Sequence, residues 1–133
     1  MTRLACPPGA RPPAGRVVCG GDHAVLEVDA PAGAGAAEHL HEHEDLVLIL
    51  VRGSLEVTVG GNTATIAPGA VARLPRGVPH RVTAGPGGAR YVCVCLPGGL
   101  EEVLAAIGDP ESTDDDRAAL LAAAGIHAVS GRW

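Results

Sequence analysis

The sequence of 133 residues contains no phenylalanine and no lysine, and it has one residue each of tryptophan, tyrosine and methionine. With aromatic residues at 2%, the aliphatic side chains must fill the core, and the β-branched ones among them favour strands. The ten basic residues are all arginines, scattered along the chain, and the formal net charge is -5. This charge distribution argues against a nucleic-acid-binding surface.

The sequence also lacks a long apolar run. The longest aliphatic segment, LVLILV, is far shorter than the ~20 residues that a membrane-spanning helix needs. The N-terminal segment, MTRLACPPGARPPAG, has no apolar region of the kind found in signal peptides. We therefore expect a cytoplasmic protein that does not bind membranes. Its four cysteines are then expected to be reduced thiols rather than a disulfide framework.

Glycine (19 residues) and proline (11 residues) are abundant, and they fall between short apolar runs. This pattern is typical of turns in a β-rich domain. The runs RVVC, HAVLEVDA, EHLHE, LVLILVR, SLEVTVG, NTATIA, AVARL, HRVTA and RYVCVCL predict about nine strands with short links. A closed antiparallel barrel or jelly roll suits such a series because it leaves few exposed strand edges.

The pattern changes after Pro97, where GGLEEVLAAIG and ESTDDDRAALLAAAG each predict a short helix. Ser112 or Thr113 is the expected N-cap of the second helix. We expect both helices to pack on the outside of the barrel, and the final segment, IHAVSGRW, to return as an edge strand. The predicted organisation is an extended Pro/Gly-rich arm over residues 1–15, a β-barrel over 16–97 and a helical extension over 98–133.

Histidines mark the candidate site. His39 and His41 are two residues apart on a predicted strand, so their side chains share a face and suit one metal ion. Imidazole binds Zn, Cu, Fe and Ni, and the pair alone does not select among them. In LPRGVPHRV, a turn made by Pro75 and Gly77 brings His80 to the start of another strand. His80 would complete a set of three ligands.

These residues resemble the two motifs of the cupin superfamily. The first motif has a glycine, His-x-His, a glutamate and a second glycine; its histidines correspond to His39 and His41, between Gly33 and Gly53. In the second motif, five residues separate Gly69 from the Pro-x-Gly element that begins at Pro75, and the histidine corresponds to His80. The motif's final asparagine is replaced by Ala84. The resemblance extends from residue 17 to residue 97 and implies an all-β fold, the double-stranded β-helix or jelly-roll barrel.

The sequence departs from the cupin motif at its metal-binding glutamate, where Leu46 stands. Three interpretations follow. In the first, the three histidines hold a divalent metal and leave its other positions open. In the second, a local bulge brings Asp45 into the place of the missing carboxylate. In the third, the metal is lost and the barrel binds an organic ligand or nothing. The resemblance favours a metal-binding site, with ligands His39, His41 and His80.

Further residues are assigned to the pocket around this site. Leu46, Leu48 and Leu50 share one face of a strand and, with Val82, are expected to line an apolar cavity. His43 and Tyr91 are candidates for catalytic proton transfer, but the strand is expected to turn at His43, which favours a position at the rim of the barrel for that residue.

Two acids of the same segment, Glu42 and Glu44, are expected to be solvated at the rim of the barrel.

The resemblance implies a mononuclear metal-dependent enzyme acting on a small enolate-like or phenolate-like molecule, with dioxygenase-type chemistry foremost. The cofactor is then a divalent transition metal, with Fe(II) favoured and Zn, Ni, Mn or Cu as alternatives. Two other functions stay open: a non-redox metal-dependent cyclase or isomerase of secondary metabolism, and a non-catalytic cupin that binds a metal or a small ligand. The resemblance also implies a homodimer.

Overall fold

The computed structural model of the protein describes residues 2–3, 6–9 and 13–133. In this part of the chain, nine antiparallel strands form a jelly roll, and two helices follow near the C-terminus. The predicted all-β fold with two short C-terminal helices is therefore confirmed. In chain order the elements are β1 (Thr2–Arg3), β2 (Ala14–Cys19), β3 (Ala24–Ala30), β4 (His39–His41), β5 (Asp45–Val59), β6 (Asn62–Ile66), β7 (Val71–Leu74), β8 (His80–Leu96), α1 (Leu100–Ile107), α2 (Asp114–Ala123) and β9 (Ile126–Ala128).

The two longest strands organise the fold. β5 has 15 residues and β8 has 17, and they pair with each other along both of their halves. The sequence suggested two short strands in place of each, because glycines interrupt the apolar runs. Gly53 does not form a turn: it has a φ of 81° and produces a register shift inside β5. A Cβ atom at this position would overlap the carbonyl oxygen of Gly88, so the bend requires glycine.

Inward-facing aliphatic side chains fill the barrel. Burial alternates along β3, with every second side chain buried, as expected for a strand with one face on the core. β8 lies between β3 and β5 in the sheet, and it also pairs with β4 through His80. The long strands therefore connect the core to the short strand that carries the other two histidines.

The C-terminal segment closes one side of the barrel. Thr113 caps α2 in a capping box with Asp116, and β9 pairs with β4, which confirms the predicted edge strand. The expected packing of the helices on the barrel involves its core directly: Leu100 and Leu104 of α1 pack against the core cluster and line the cavity that the strands also line.

The N-terminal arm, expected over residues 1–15, contributes to the sheet where it is described. β1 pairs with the start of β2, which already begins at Ala14. Residues 1, 4–5 and 10–12 lie outside the described residues. Among those described, no helix has the length and apolar character needed to cross a membrane.

Candidate metal centre

Three histidine side chains converge inside the barrel. His39, His41 and His80 each offer one ligand atom, and these atoms all lie within 4.8 Å of one another. The ring centroids of His39 and His80 are 4.4 Å apart, and His41 lies 5.2 Å and 5.3 Å from them. The structure thus brings together the three histidines that the sequence predicted as metal ligands.

Strand pairing and one turn position these rings. His39 and His41 project from β4, and His39 pairs directly with His80 of β8. The turn before His80 is anchored to β4, since the Gly77 N–H donates a 2.7 Å hydrogen bond to the His41 carbonyl oxygen. Gly77 has a φ of 73°, a conformation that glycine adopts without strain. Two segments distant in sequence are therefore fixed against each other by backbone contacts.

Burial keeps the imidazoles of His39 and His80 neutral. It lowers the pKa of His39 to about 4, and it lowers the pKa of His80 to about 3, with further lowering from the neighbouring histidines. The Nδ1 atom of His39 lies 2.7 Å from the Ala37 carbonyl oxygen, whereas the buried Nδ1 atom of His80 has no hydrogen-bond partner. At neutral pH these rings are therefore uncharged, which is the state that binds a metal ion.

The donor set fits a divalent transition metal. In the described part of the chain, no hydrogen bond joins the three rings to one another, so hydrogen bonding does not account for their convergence. Three imidazoles suit the borderline-soft divalent ions of the first transition series. The residues that would hold such an ion are His39, His41 and His80.

Asp45 does not belong to this centre, and the interpretation that a bulge brings it in is wrong. Its Oδ1 atom accepts a 2.8 Å hydrogen bond from the Arg76 backbone N–H, and its Oδ2 atom lies 3.3 Å from the Arg76 guanidinium. These hydrogen bonds lower the pKa of the Asp45 carboxyl. β5 has regular pairing at this point, so consecutive side chains face opposite sides, and Leu46 rather than Asp45 faces inward.

A cavity of about 190 Å³ adjoins the histidines. Leu46, Leu48 and Val82 line it, as predicted. Leu50 does not: it is 1% exposed and packed within the core, because β5 carries it away from the cavity.

The cavity wall also includes residues from both ends of the chain. Cys6, Pro7 and Pro13 of the arm contribute, together with four aliphatic side chains of the C-terminal extension: Leu100, Leu104, Leu121 and Ile126.

The two candidates for proton transfer have different positions. Tyr91 lines the cavity, and burial raises the pKa of its hydroxyl above the usual range. His43 does not line the cavity; its side chain is 66% exposed and contacts Gly125 at the rim. His43 therefore lies at the rim, the position that the expected turn of the strand favoured, and not inside the cavity where a proton-transfer role would place it, because the chain bends after His41 and turns His43 outward.

The sequence interpretation missed Glu44. It was expected to be solvated, like Glu42, but it is 8% exposed, and its Oε1 atom lies 2.7 Å from Nδ1 of His41. The bend at residues 42–43 separates Glu44 from the strand that carries His41 and allows its carboxylate to contact that ring. Glu44 follows the predicted ligand His41 by three residues, across a bend. This spacing is the signal that could have identified the contact.

An aromatic ring from the chain terminus lies against the centre. The indole of Trp133 is 5.1 Å from the imidazole of His39, centroid to centroid, and it packs with the small cluster of Ile107, Leu121 and Ile126. The C-terminal extension thus contacts both the cavity and a predicted ligand.

Comparisons with known proteins agree with this description. The family model for the Cupin domain matches residues 26–95. No curated protein matches the chain. Among solved structures, KdgF from Halomonas sp. has a TM-score of 0.62 at 22% identity, over 66% of this chain and 81% of that one. An uncharacterized conserved protein with a double-stranded β-helix domain from Klebsiella pneumoniae has a TM-score of 0.59 at 27% identity, over 71% and 83%.

A recombinant oxalate oxidase in complex with glycolate is a more distant neighbour, with a TM-score of 0.51 at 20% identity over 57% of this chain and 42% of that one. These structures share the arrangement of strands described above. The matched segment holds the three histidines and Leu46, whereas the arm and the helices that close the cavity lie outside it. The chain belongs to the cupin domain family.

Proposed function

We propose that the protein is a mononuclear metal-dependent enzyme that acts on a small, largely apolar organic molecule bearing one anionic oxygen, such as an enolate or a phenolate. Dioxygenase-type chemistry is the first assignment. The observation that supports the proposal most directly is the three-histidine centre beside an apolar cavity that has no charged side chain among its described lining residues.

The cavity lining restricts the charge of the substrate. Among the described residues, no aspartate, glutamate or arginine side chain lines the cavity. A charged group buried there without a partner would be strongly unfavourable. A substrate that carried a carboxylate in addition to its one anionic oxygen would therefore be rejected. Leu46, in place of the motif glutamate, removes a carboxylate from the ligand set and leaves a coordination position that a single anionic oxygen can occupy.

The size of the cavity agrees with a small substrate. Engineered cavities of ~150 Å³ in protein cores bind benzene-sized molecules. A volume of about 190 Å³ therefore suits a compact molecule of one ring or a short branched chain. Leu46, Leu48 and Val82 supply apolar contacts to its carbon skeleton.

The side chains around the cavity favour redox chemistry over proton transfer. A bound redox-active metal such as Fe(II) would supply the activation of O2. A cyclase or isomerase needs a group that accepts a proton from the substrate. The cavity has no carboxylate among its described lining residues, and the raised pKa of Tyr91 keeps its hydroxyl protonated. Tyr91 is therefore suited to donate a hydrogen bond to the substrate, not to act as a base.

A non-redox metal-dependent cyclase or isomerase is the second candidate. The Tyr91 hydroxyl favours it, because a protonated phenol in an apolar cavity can stabilise an enolate oxygen by hydrogen bonding. In this case a redox-inert ion such as Zn would support activity as well as Fe(II) does.

Two measurements test the proposal. The first is metal content after metal-replete expression of the wild type, of His80→Ala and of the control His23→Ala, which alters an exposed histidine. We expect bound metal in the wild type and the control and little in His80→Ala. Equal metal content in all three would refute the metal centre.

The second measurement is turnover of a panel of phenolates and 1,3-diketones by the Fe(II)-loaded and the Zn-loaded protein, with and without O2. Dioxygenase chemistry requires both Fe(II) and O2. Turnover by the Zn-loaded protein without O2 would support the cyclase or isomerase. Binding of panel members without turnover in any condition would support a non-catalytic binding protein.

A further inference from the structure

We infer that Glu44 is a positioning residue for the metal centre: its carboxylate orients His41 and supplies, from behind that ring, the negative charge that Leu46 removes from the ligand set. The inference rests on the proposed metal-binding function. Its starting observation is the 2.7 Å contact between Glu44 Oε1 and His41 Nδ1, both of them buried, with residue exposures of 8% and 4%.

The contact determines which nitrogen of His41 is available to a metal. An ionised carboxylate can only accept a hydrogen bond, so Nδ1 of His41 carries the proton and donates it to Glu44. The Nε2 atom then keeps its lone pair. A carboxylate behind a ligand histidine fixes the orientation of the ring and makes its free nitrogen a stronger donor to a metal.

The three histidines differ in what supports them. Nδ1 of His39 faces the neutral carbonyl oxygen of Ala37, and Nδ1 of His80 is buried without a hydrogen bond. Among the described residues, Glu44 is the one charged group that contacts any of the three rings through a hydrogen bond. His41 is therefore the one predicted ligand whose electron donation to a metal is strengthened by a hydrogen-bonded carboxylate.

The position of Glu44 explains how the centre works without the motif glutamate. Leu46 faces the cavity from β5, so no carboxylate can reach the metal from that position. Glu44 lies at the bend before β5 and acts through the imidazole of His41 instead. The negative charge stays close to the centre, and the coordination position that the motif glutamate would fill is left open for a substrate.

Three variants separate this role from a structural one. Glu44→Ala removes the carboxylate, Glu44→Gln keeps an acceptor oxygen without the charge, and Glu42→Gln is the matched control at an exposed neighbouring acid. Zn(II) and Co(II) affinities are measured by competition with a chromophoric chelator, on protein shown to be folded. We expect a loss of ~10–100-fold for Glu44→Ala, a smaller loss for Glu44→Gln, and no change for the control.

A second readout follows the hydrogen bond itself. The proton that His41 donates from Nδ1 to Glu44 is expected to give a downfield NMR resonance in the metal-free protein, absent from Glu44→Ala and from His41→Ala. If Glu44 were merely structural, Glu44→Ala would melt at a lower temperature yet bind metal as tightly as the wild type, which would overturn the inference. If the wild type itself bound no metal, the proposed function would fail first, so the two failures are distinguishable.

Discussion

His39 of β4 lies directly opposite His80 of β8, and their rings are 4.4 Å apart. The two residues belong to different cupin motifs and meet only when β4 has paired with β8. A metal bound by both would link these strands, and a ligand that binds the native state alone stabilises it. The metal-loaded protein should therefore unfold at a higher temperature than the metal-free protein.

The metal-free protein is expected to lose stability in mild acid. In the unfolded chain, His39 and His80 take up protons near pH 6.5, but in the folded state burial lowers their pKa values to about 4 and about 3. Below pH 6.5 the unfolded state binds more protons than the folded state. The stability that is present above pH 6.5 is therefore lost as the pH falls towards the pKa values of the folded state.

Urea unfolding midpoints across this pH range check the expectation. The double variant His39→Asn/His80→Asn should show a flatter pH dependence than the wild type, and His23→Asn, at an exposed site, should behave like the wild type. A wild-type midpoint that is constant between neutral pH and pH 5 would contradict the prediction.

Leu46→Glu restores the carboxylate of the cupin motif and is expected to raise the affinity for metal. Leu46 is 5% exposed and faces the cavity, so in the metal-free protein the new carboxylate is buried without a partner, at a cost of roughly 3 kcal/mol. Metal binding should recover this loss, and anionic probes should bind the loaded variant more weakly, because the open position is filled. The measurements are thermal unfolding with and without Zn(II) and titration with a phenolate. Leu46→Gln is uncharged and similar in shape, so its metal affinity should not exceed that of the wild type. Equal metal affinities for Leu46→Glu and Leu46→Gln would count against the prediction.

Asp45→Ala is expected to affect the turn before His80 and not the ligand set. Asp45 accepts a hydrogen bond from the Arg76 backbone, so its removal should loosen this turn and lower the melting temperature. Metal content after metal-replete expression should stay equal to that of the wild type, in contrast to His80→Ala. Loss of metal at full thermal stability would show instead that Asp45 is a ligand.

Adjacent leucines of α2 offer a matched test of the cavity wall. Leu121 is 2% exposed and lines the cavity, whereas Leu120 is 39% exposed and does not. Leu121→Ala should lower the free energy of unfolding by ~2–4 kcal/mol and improve the binding of bulkier phenolates, because it enlarges the cavity. Leu120→Ala should change stability by no more than ~0.5 kcal/mol. Urea denaturation and probe titration measure both effects, and equal costs for the two variants would show that α2 does not close the cavity.

The sequence was sufficient to predict the fold and the convergence of the three histidine side chains, and the reason is local. His39, His41 and His80 lie in motifs whose turns and strand alternation are encoded by neighbouring residues. Leu46 was also assigned correctly to the inner face, since β5 is regular there and alternation holds. The homodimer expected from the resemblance stays a prediction.

Errors arose where the backbone leaves regular geometry. The turn at His43 was expected, but the bend at residues 42–43 also buries Glu44 against His41, and alternation along a strand does not anticipate that contact. The sequences of the helices show an apolar face but not what that face covers. That Leu100 and Leu104 line the cavity depends on tertiary packing, which no local pattern specifies.

Trp133 is the single tryptophan of the chain, and its indole lies 5.1 Å from the ring of His39. All intrinsic tryptophan fluorescence of this protein thus originates beside the three-histidine cluster. An open-shell ion such as Cu(II) or Co(II) bound by His39 should quench that emission, whereas Zn(II), with a filled d shell, should quench it far less. Stopped-flow fluorescence of the unlabelled protein would then follow metal arrival in real time, and Trp133→Leu would abolish the signal without removing a ligand.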